Sequence, residues 1–382
     1  MLELATVILN KIRIKIKCKL NCLILLIAFE NSNDTKFKKY MIKQLNELPT
    51  GLLELTADQL YTKIDDLTLI HLKGKIERPI FISILQHGDE YTGWDALKDF
   101  LKNHQHQLPR SMSILFGNIQ AARFNVRQID NQPDFNRSWP SALNLDYPIA
   151  NSMREITDIM RKRTPFASVD IHNNSGRNPH YSGINNLDQE FLNLASLFSD
   201  TMIYFTSPIG IQSGSFAEFC PSVTVECGLS GAADGTEQTH TFLELLCNQY
   251  NLKKVPGILE HERVFKIKAT VKVRPDIDIS FQQKDVDFSL IEDLDVLNFH
   301  KISQGEAFGK LSQKLVDNNV MPFIVNDQNN QDITDQYFKI DGNKVSCANS
   351  FVPAMITQNI QAIRLDCLCY IMQPIKTSIN QT

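Results

Sequence analysis

The chain has 382 residues, a formal net charge of -4 and 43% hydrophobic residues. This composition excludes disordered, collagenous and coiled-coil proteins, and the length favours two domains, each with its own core. The 39 basic side chains are nearly balanced by 43 acidic ones, so no broad basic surface is expected. Nucleic acid is therefore not an expected partner.

The first forty residues differ from the rest of the chain. Basic residues alternate with apolar ones between Lys11 and Lys19, and the eight residues from Cys22 to Phe29 are all apolar. That apolar run is too short for a membrane-spanning helix, and the segment lacks the small-residue cleavage site of a signal peptide. Two interpretations stay open: a secretion signal, or an upstream translation with synthesis starting at Met41. We treat residues 1–40 as a doubtful leader and expect no membrane association.

Residues 79 to 250 alternate short β-rich apolar segments with segments of helical periodicity. This alternation is typical of a mainly parallel, mixed sheet flanked by helices. Apolar residues three or four positions apart predict helices around Trp94, Phe191 and Phe242. The predicted strands are residues 79–85, 111–116, 166–171, 202–205 and 222–225.

The pattern changes after residue 250. Residues 265–273 alternate with a period of two, and the later strands are short and separated by turns such as Asp341-Gly342. We therefore predict an α/β catalytic domain over residues 41–250 and a C-terminal all-β domain over residues 251–382.

The eight cysteines are dispersed and form no Cys-x-x-Cys pair of the kind found in zinc ribbons and redox sites. In a chain of this size, such a distribution does not indicate a secreted disulfide scaffold. We expect buried, reduced thiols and a cytoplasmic protein.

Two segments carry candidate metal ligands. The first predicted strand ends in Gln-His87-Gly-Asp-Glu90, where a histidine and a glutamate three residues apart can face one metal ion. His172 ends the segment Ser-Val-Asp-Ile-His, again where a buried strand runs into a loop. Ligands of open α/β sheets collect at this carboxyl edge. Two histidines and one glutamate leave the fourth position of a zinc ion for water, as in catalytic sites.

Two carboxylates accompany these ligands. Asp170 lies two residues before His172 and either orients that ligand or is an ordinary residue at a strand end. Glu226 ends the apolar strand Ser-Val-Thr-Val-Glu, where burial of an unpaired carboxylate is costly. Its alternative interpretation is a solvated residue at the end of a strand.

Between the ligand segments lies a loop with three arginines. Residues 117–137 contain Arg123, Arg127 and the pair Asn136-Arg137, and Pro133 interrupts any helix there. Such a loop suits bidentate binding of carboxylates. The alternative is a surface loop held by salt bridges.

Taken in order, the motifs His-Gly-Asp-Glu, Gly-Asn-x-x-Ala with Asp-Phe-Asn-Arg, Asp-Ile-His-Asn and Val-Glu resemble those of the succinylglutamate desuccinylase/aspartoacylase family of the zinc carboxypeptidase superfamily. The resemblance covers residues 79–228, and the family's enzymes also carry a β domain after the catalytic one. It implies a zinc metallohydrolase that binds one Zn2+ ion through His87, Glu90 and His172. Glu226 matches the family's catalytic carboxylate, a general base and acid that must be mostly ionised at rest.

The same resemblance assigns residues to the substrate. Arg127 matches the arginine that stabilises the developing oxyanion, and Asn136 and Arg137 match the pair that holds a substrate carboxylate. Tyr181 follows His172 closely enough to line the same pocket, either as a hydrogen-bond donor to substrate or as part of the loop packing. The expected partner is a small carboxylate substrate or a peptide, and a homo-oligomer stays open.

The sequence departs from the family in one informative way. Residues 178 to 252 contain no lysine or arginine, although aspartoacylases use a further arginine ahead of the catalytic glutamate for the substrate's second carboxylate. We therefore expect an N-acyl amino acid with one carboxylate as the substrate. A metallocarboxypeptidase acting on peptides is the first alternative, and a zinc-holding or ligand-binding protein without catalytic activity is the second.

Overall fold

The computed structural model describes residues 40 to 375, apart from 142, 144, 255–262 and 283–284. Except for Tyr40, the doubtful leader lies outside the described residues. None of the helices in this part of the chain combines the length and apolarity needed to cross a lipid bilayer.

Strands make up most of the regular structure. In chain order they are β1 (Lys43–Leu45), β2 (Thr68–Leu72), β3 (Gly74–Ile84), β4 (Leu108–Phe116), β5 (Ala167–Asn174), β6 (Tyr181–Ile184), β7 (Thr201–Tyr204), β8 (Ser222–Leu229), β9 (Arg263–Val273), β10 (Ile279–Ser280), β11 (Phe288–Leu290), β12 (Ala307–Leu311), β13 (Phe323–Asp327), β14 (Phe338–Asp341), β15 (Lys344–Cys347), β16 (Val352–Ala354) and β17 (Cys369–Pro374).

Helices connect and cover the strands. The α-helices are α1 (Thr92–Asn103), α2 (Ile119–Arg123), α3 (Pro148–Arg163), α4 (Gln189–Ser196), α5 (Gln212–Phe216), α6 (Ala233–Cys247), α7 (Gln313–Asp317), α8 (Thr334–Tyr337) and α9 (Ile360–Leu365). Short 3-10 helices span Leu52–Glu54, Ala57–Thr62, Phe135–Arg137 and Leu294–Leu297.

Twelve of the described strands form one mixed sheet. Its order is β1-β2-β4-β3-β5-β8-β6-β7-β9-β17-β16, and β13 also pairs with β9, on the side opposite β17. Its centre, β4-β3-β5-β8, is parallel. This confirms the predicted mixed α/β sheet, and each of the five predicted strands lies within or overlaps an observed one. Strands β3, β5 and β8 therefore end at the same edge, so residues that follow them meet there.

The helices pack through the apolar faces that the periodicity predicted. Trp94, Leu97 and Phe100 form the buried face of α1, and α1 contacts α6. The Trp94 ring meets the ring of Phe116 from β4 edge to face at 5.5 Å between centroids. Burial of these large side chains fixes α1, and with it the loop between β3 and α1, against the sheet.

The C-terminal part of the chain builds a second, mostly antiparallel sheet in the order β10-β11-β12-β15-β14, which confirms its predicted β character. Four other strands of this part extend the main sheet, because β9 pairs in parallel with β7 and carries β13 and β17, which in turn pairs with β16. The boundary at residues 250/251 therefore crosses a continuous sheet, and the division into two domains stays a prediction.

The described cysteines are free and buried. Burial raises the pKa of the Cys220 and Cys247 thiols to about 12. Such thiols stay protonated at neutral pH and are poor nucleophiles. Together with the absence of disulfides among the described residues, this gives the cysteines a packing role.

Candidate metal centre and active site

Three side chains meet at the carboxyl edge of the parallel strands. His87 and Glu90 follow β3, and His172 lies near the end of the neighbouring strand β5. One ligand atom from each of the three lies within 4.8 Å of the other two, and all three residues are buried. The structure thus brings together the residues proposed as metal ligands from the sequence.

The Glu90 carboxylate lies between the two imidazole rings. Its Oε1 atom is 2.8 Å from Nδ1 of His87, and its Oε2 atom is 2.6 Å from Nδ1 of His172. The backbone N–H of Asn173 donates to Oε2 at 3.2 Å. Although burial opposes ionisation, the charges of both histidines hold the pKa of Glu90 well below its usual value. The Nδ1 atoms of both rings therefore point at one ionised carboxylate.

The outer nitrogens of the rings face two more carboxylates. Nε2 of His87 is 3.1 Å from Oδ1 of Asp134, and Nε2 of His172 is 2.8 Å from Oδ2 of Asp170. Burial opposes the charged imidazole of His172, but Asp170 and Glu90 raise its pKa well above the usual value. Carboxylates in this position orient metal-binding histidines and increase their basicity.

Asp170 is fully buried and held in place by one donor in β3 and one that follows β3. Ser83 Oγ donates to its Oδ1 atom at 2.6 Å, and Gln86 Nε2 donates to the same oxygen at 2.7 Å. The indole N–H of Trp139 in turn donates to Oε1 of Gln86 at 2.8 Å. These contacts favour the orienting role among the two interpretations of Asp170.

We predict that Asp170→Asn lowers the affinity for zinc by about 10–100-fold, because His172 loses the carboxylate that orients its ring and increases its basicity. Zinc titration of the purified protein against a chelating indicator measures this change. Asp276→Asn is the matched control, since Asp276 is an exposed partner of Arg274 far along the chain. An unchanged zinc affinity in Asp170→Asn would contradict the orienting role.

The loop between β3 and α1 requires a glycine and an unusual backbone conformation. A Cβ atom on Gly88 would lie 2.2 Å from the carbonyl carbon of Ala121, so only glycine lets this loop approach α2. Leu85, just before the loop, has a positive φ of 55°. Such conformations cost free energy outside glycine and cluster at functional sites. They turn the chain so that His87 and Glu90 face β5.

Glu226 lies in one row with His172 and Tyr181 across three strands. In the sheet register, Glu226 of β8 pairs with His172 of β5 on one side and with Tyr181 of β6 on the other. Residues paired across strands point to the same face. The Oε2 atom of Glu226 is buried and has no hydrogen-bond partner among the described residues. Burial raises the pKa of Glu226 to about 8, so without a cation beside it the carboxyl is mostly neutral, unlike the ionised group the resemblance implies.

This raised pKa gives a testable pH dependence. Because the pKa of Glu226 rises from 4.5 to about 8 on folding, the metal-free folded protein keeps a proton that the unfolded chain releases between these values. The contribution of the Glu226 carboxyl to the free energy of unfolding is present in full below pH 4.5 and is lost as the pH rises through about 8. Glu226→Gln cannot titrate, so its free energy of unfolding should fall less steeply over this range. Urea unfolding in EDTA at several pH values measures both slopes, and equal slopes would contradict the prediction.

The arginine loop divides into residues that face the site and one that does not. Arg127 donates to Oδ2 of Asp134 at 3.1 Å and lies 3.5 Å from Oε1 of Glu90. Arg137 lines the same pocket and has no ion pair among the described residues. Arg123 instead stacks over the ring of Tyr61 at 4.2 Å. Two guanidinium groups, one in an ion pair and one without, therefore border the group of His87, Glu90 and His172.

The side-chain amide of Asn136 makes hydrogen bonds within the protein. Its Nδ2 atom donates to Oδ2 of Asp170 at 3.1 Å and lies 2.9 Å from Nε2 of His172. Its Oδ1 atom accepts from the backbone N–H of Gln212 at 2.9 Å. The side chain is buried and both of its ends are hydrogen-bonded within the protein, next to His172, and its role in substrate binding stays a prediction. The family resemblance gives Asn136 and Arg137 the same task, whereas their contacts in the structure differ.

Tyr181 is fully buried beside Glu226. Its hydroxyl donates to Sδ of Met355 at 2.8 Å, and burial together with the nearby Glu226 raises its pKa well above the usual value. Tyr181 is therefore a neutral phenol that lines the pocket. Both of its sequence interpretations, a donor to substrate and a packing residue, stay open.

The C-terminal part of the chain contributes to the pocket wall. The pocket lined by His87, Glu90 and His172 has a volume of about 120 Å³, and Met355, Asp366 and Tyr370 line it from this part of the chain. No sequence motif marks these three residues. Their approach depends on the pairing of β17 with β9.

The donor set fits a zinc ion. Two imidazole nitrogens and one carboxylate oxygen are the ligands of many catalytic zinc sites, which keep a fourth position open. The unpartnered Oε2 atom of Glu226 lies in the row next to them, where a polar partner is missing among the described residues. His87, Glu90 and His172 would hold the ion, with Asp134 and Asp170 behind the histidines.

Comparison with solved structures places the fold. The chain is similar to succinylglutamate desuccinylase from Vibrio cholerae, with 14% identity, a TM-score of 0.52, and coverage of 78% of this chain and 81% of that chain. It is similar to murine aminoacylase 3, with 13% identity, a TM-score of 0.52, and coverage of 79% and 96%. A succinylglutamate desuccinylase/aspartoacylase from Rhodobacter sphaeroides matches with 12% identity, a TM-score of 0.51, and coverage of 80% and 88%. No protein-family model and no curated protein matches the sequence. The chain thus has the fold of these enzymes, as its motifs indicate.

Proposed function

We propose that the protein is a zinc-dependent hydrolase that cleaves the amide bond of an N-acyl amino acid. The observation that carries this proposal is the row in which the unpartnered Glu226 carboxyl lies beside the buried group of His87, Glu90 and His172. A buried carboxyl with no partner is costly unless a ligand or a reaction uses it. The likeness in fold to a desuccinylase and an aminoacylase supports the same class of reaction.

The proposed metal ligands, Glu226 and Arg127 each have a separate role in the hydrolysis. A zinc ion held by the His-Glu-His group would supply positive charge that polarises the scissile carbonyl, lowers the pKa of water and favours the ionised form of Glu226. Glu226 accepts a proton from the attacking water and delivers it to the leaving amine. Arg127, which Asp134 holds in place at 3.1 Å, stabilises the negative charge that develops on the carbonyl oxygen.

Arg137 holds the substrate carboxylate. It is half-buried and has no ion pair among the described residues, so a substrate anion does not have to displace a carboxylate. Its Nη1 atom donates to the backbone oxygen of Asn136 at 2.9 Å. A guanidinium group suits this task because it binds a carboxylate through two parallel hydrogen bonds. Asn136 positions His172 in this proposal and does not touch the carboxylate.

The rest of the pocket wall selects against a second carboxylate. Apart from Arg127 and Arg137, the lining contains no lysine or arginine among the described residues, and Phe205, Ile211 and Met355 make part of it apolar. The wall also carries Asp366, which repels an anion. The substrate is therefore an N-acyl amino acid with a single carboxylate.

A substrate panel tests this function. The zinc-loaded protein is assayed with N-acetylalanine, N-acetylmethionine, N-acetylaspartate, N-succinylglutamate and short peptides with free carboxyl ends. We expect hydrolysis of the substrates with one carboxylate and little turnover of the two dianions. Release of C-terminal residues from the peptides alone would favour a metallocarboxypeptidase. Turnover of none of them, with zinc bound, would support a binding protein without catalytic activity.

A further inference from the structure

A second cavity adjoins the catalytic pocket. It has a volume of about 390 Å³, against about 120 Å³ for the pocket itself, and we name it the β9 cleft because β9 forms its floor. The cleft and the pocket share Pro208, Asp366 and Tyr370. Ligand sites in proteins usually measure about 300–1,000 Å³, a range that the catalytic pocket alone does not reach. The two cavities therefore lie next to each other, with Pro208, Asp366 and Tyr370 common to both linings.

The floor of the β9 cleft is a row of side chains that leads to the catalytic pocket. In the sheet register, Thr270 of β9 pairs with Asn326 of β13 on one side and with Tyr370 of β17 on the other. Cross-strand partners point to one face, and Lys272, two residues further along β9, points to the same face. All four line the cleft, and Tyr370 also lines the pocket.

The walls of the β9 cleft are polar. Gln328 joins two of them, because its Nε2 atom donates to the backbone oxygen of Ile267 at 2.7 Å and to Oγ1 of Thr206 at 3.5 Å. The Asp327 carboxylate is occupied by backbone N–H groups of its own turn. Lys272 and Asp366 line the cleft without an ion pair among the described residues. With Asp327 the lining carries one positive and two negative side chains, so the cleft does not favour a second carboxylate despite Lys272. A hydrogen-bonding group suits these walls better than a hydrocarbon chain does.

The junction of the two cavities lies beside Arg137. Gly210, two residues after Pro208, packs on Arg137 so closely that a Cβ atom would lie 2.6 Å from the Arg137 backbone oxygen. The charge of Arg137 also acts on the Tyr370 hydroxyl. A substrate carboxylate at Arg137 therefore places the α-carbon of the amino acid near the mouth of the cleft.

We infer that the β9 cleft receives the side chain of the substrate's amino acid and selects long, uncharged polar side chains that carry an amide or urea group. This inference rests on the proposed function. The ammonium group of Lys272 donates to the side-chain carbonyl, and the Asp366 carboxylate accepts from its N–H groups. The small side chain of N-acetylalanine leaves the cleft empty.

The test compares three substrates on the zinc-loaded protein. We expect kcat/KM for N-acetylcitrulline to exceed that for N-acetylnorleucine, a hydrocarbon analogue, by at least about tenfold. In Thr270→Trp, which fills the cleft, kcat/KM for N-acetylcitrulline should fall about tenfold or more, while N-acetylalanine stays within about twofold. Thr236→Trp, which fills an unrelated surface cleft beside α6, is the matched control. Equal losses for both substrates in Thr270→Trp would overturn the inference.

A second variant and a binding measurement guard against misfolding and against failure of the proposed function. Lys272→Met changes an exposed side chain and should weaken turnover of N-acetylcitrulline severalfold without affecting N-acetylalanine. If no N-acyl amino acid is hydrolysed, the proposed function fails, and calorimetric titration with free citrulline still tests the cleft. Binding to the wild type that is lost in Thr270→Trp supports the inference, whereas the same affinity in both, or no binding to either, contradicts it.

Discussion

Glu226→Gln is expected to lower kcat by about 10²–10⁴-fold while zinc still binds. Glutamine keeps the shape of the side chain but cannot accept the proton of the attacking water or return it to the leaving amine. The metal ligands lie on other residues, so the affinity for zinc should change little. Steady-state kinetics with the best substrate of the panel, together with a zinc titration, separates these two effects.

A control variant makes the result specific. Glu218→Gln carries the same substitution at an exposed residue that pairs with Arg161 at 3.2 Å, and its kcat should match that of the wild type. Full activity of Glu226→Gln would remove Glu226 from the mechanism. Absence of activity in both the wild type and Glu226→Gln, with zinc bound in each, would favour the non-catalytic alternative.

The sequence predicts that His87, Glu90 and His172 come together, because the information for this grouping is local. His87 and Glu90 lie three residues apart, and His172 and Glu226 each lie near the end of an apolar strand. Parallel strands of one sheet share a carboxyl edge, so these residues meet once β3, β5 and β8 are neighbours. The order of the strands along the sheet is all that this argument requires from the tertiary structure.

The residues behind and around the ligands are harder to predict. Asp134 and Asn136 reach the histidines from a loop whose path depends on the close contact of Gly88 with α2. Tyr181 faces Glu226 only because β6 lies between β8 and β7 and pairs antiparallel with β8. Neither the path of this loop nor the position of β6 leaves a periodic pattern in the sequence, because both depend on contacts between distant segments.

The protonation state of Glu226 shows the same limit. The family resemblance implies that Glu226 is ionised. In the fold without a cation, however, burial raises the pKa of Glu226 to about 8. Desolvation depends on how many chain segments cover a group, which the local sequence does not encode. The pocket wall formed by Met355, Asp366 and Tyr370 comes from the C-terminal part of the chain, more than a hundred residues away.

Loss of a proposed metal ligand is expected to lower activity about as much as Glu226→Gln does, but for a different reason. His172→Ala removes one of the two imidazole ligands and leaves the buried Asp170 and Glu90 without their shared partner. Because zinc contributes several kcal/mol of charge stabilisation in such reactions, activity should fall by about 10³-fold or more. Metal analysis after dialysis should find the variant without zinc.

Restoration by metal distinguishes this effect from damage to the fold. Wild-type protein stripped with a chelator should regain activity when zinc is added, whereas His172→Ala should not regain it at the same zinc concentration. His240→Ala is the control, because His240 lies on α6, where Asn103 contacts its ring, outside the ligand group. Full activity of His172→Ala without bound zinc would exclude a metal-dependent mechanism, since the remaining pair of His87 and Glu90 supplies too few ligands for a catalytic zinc site.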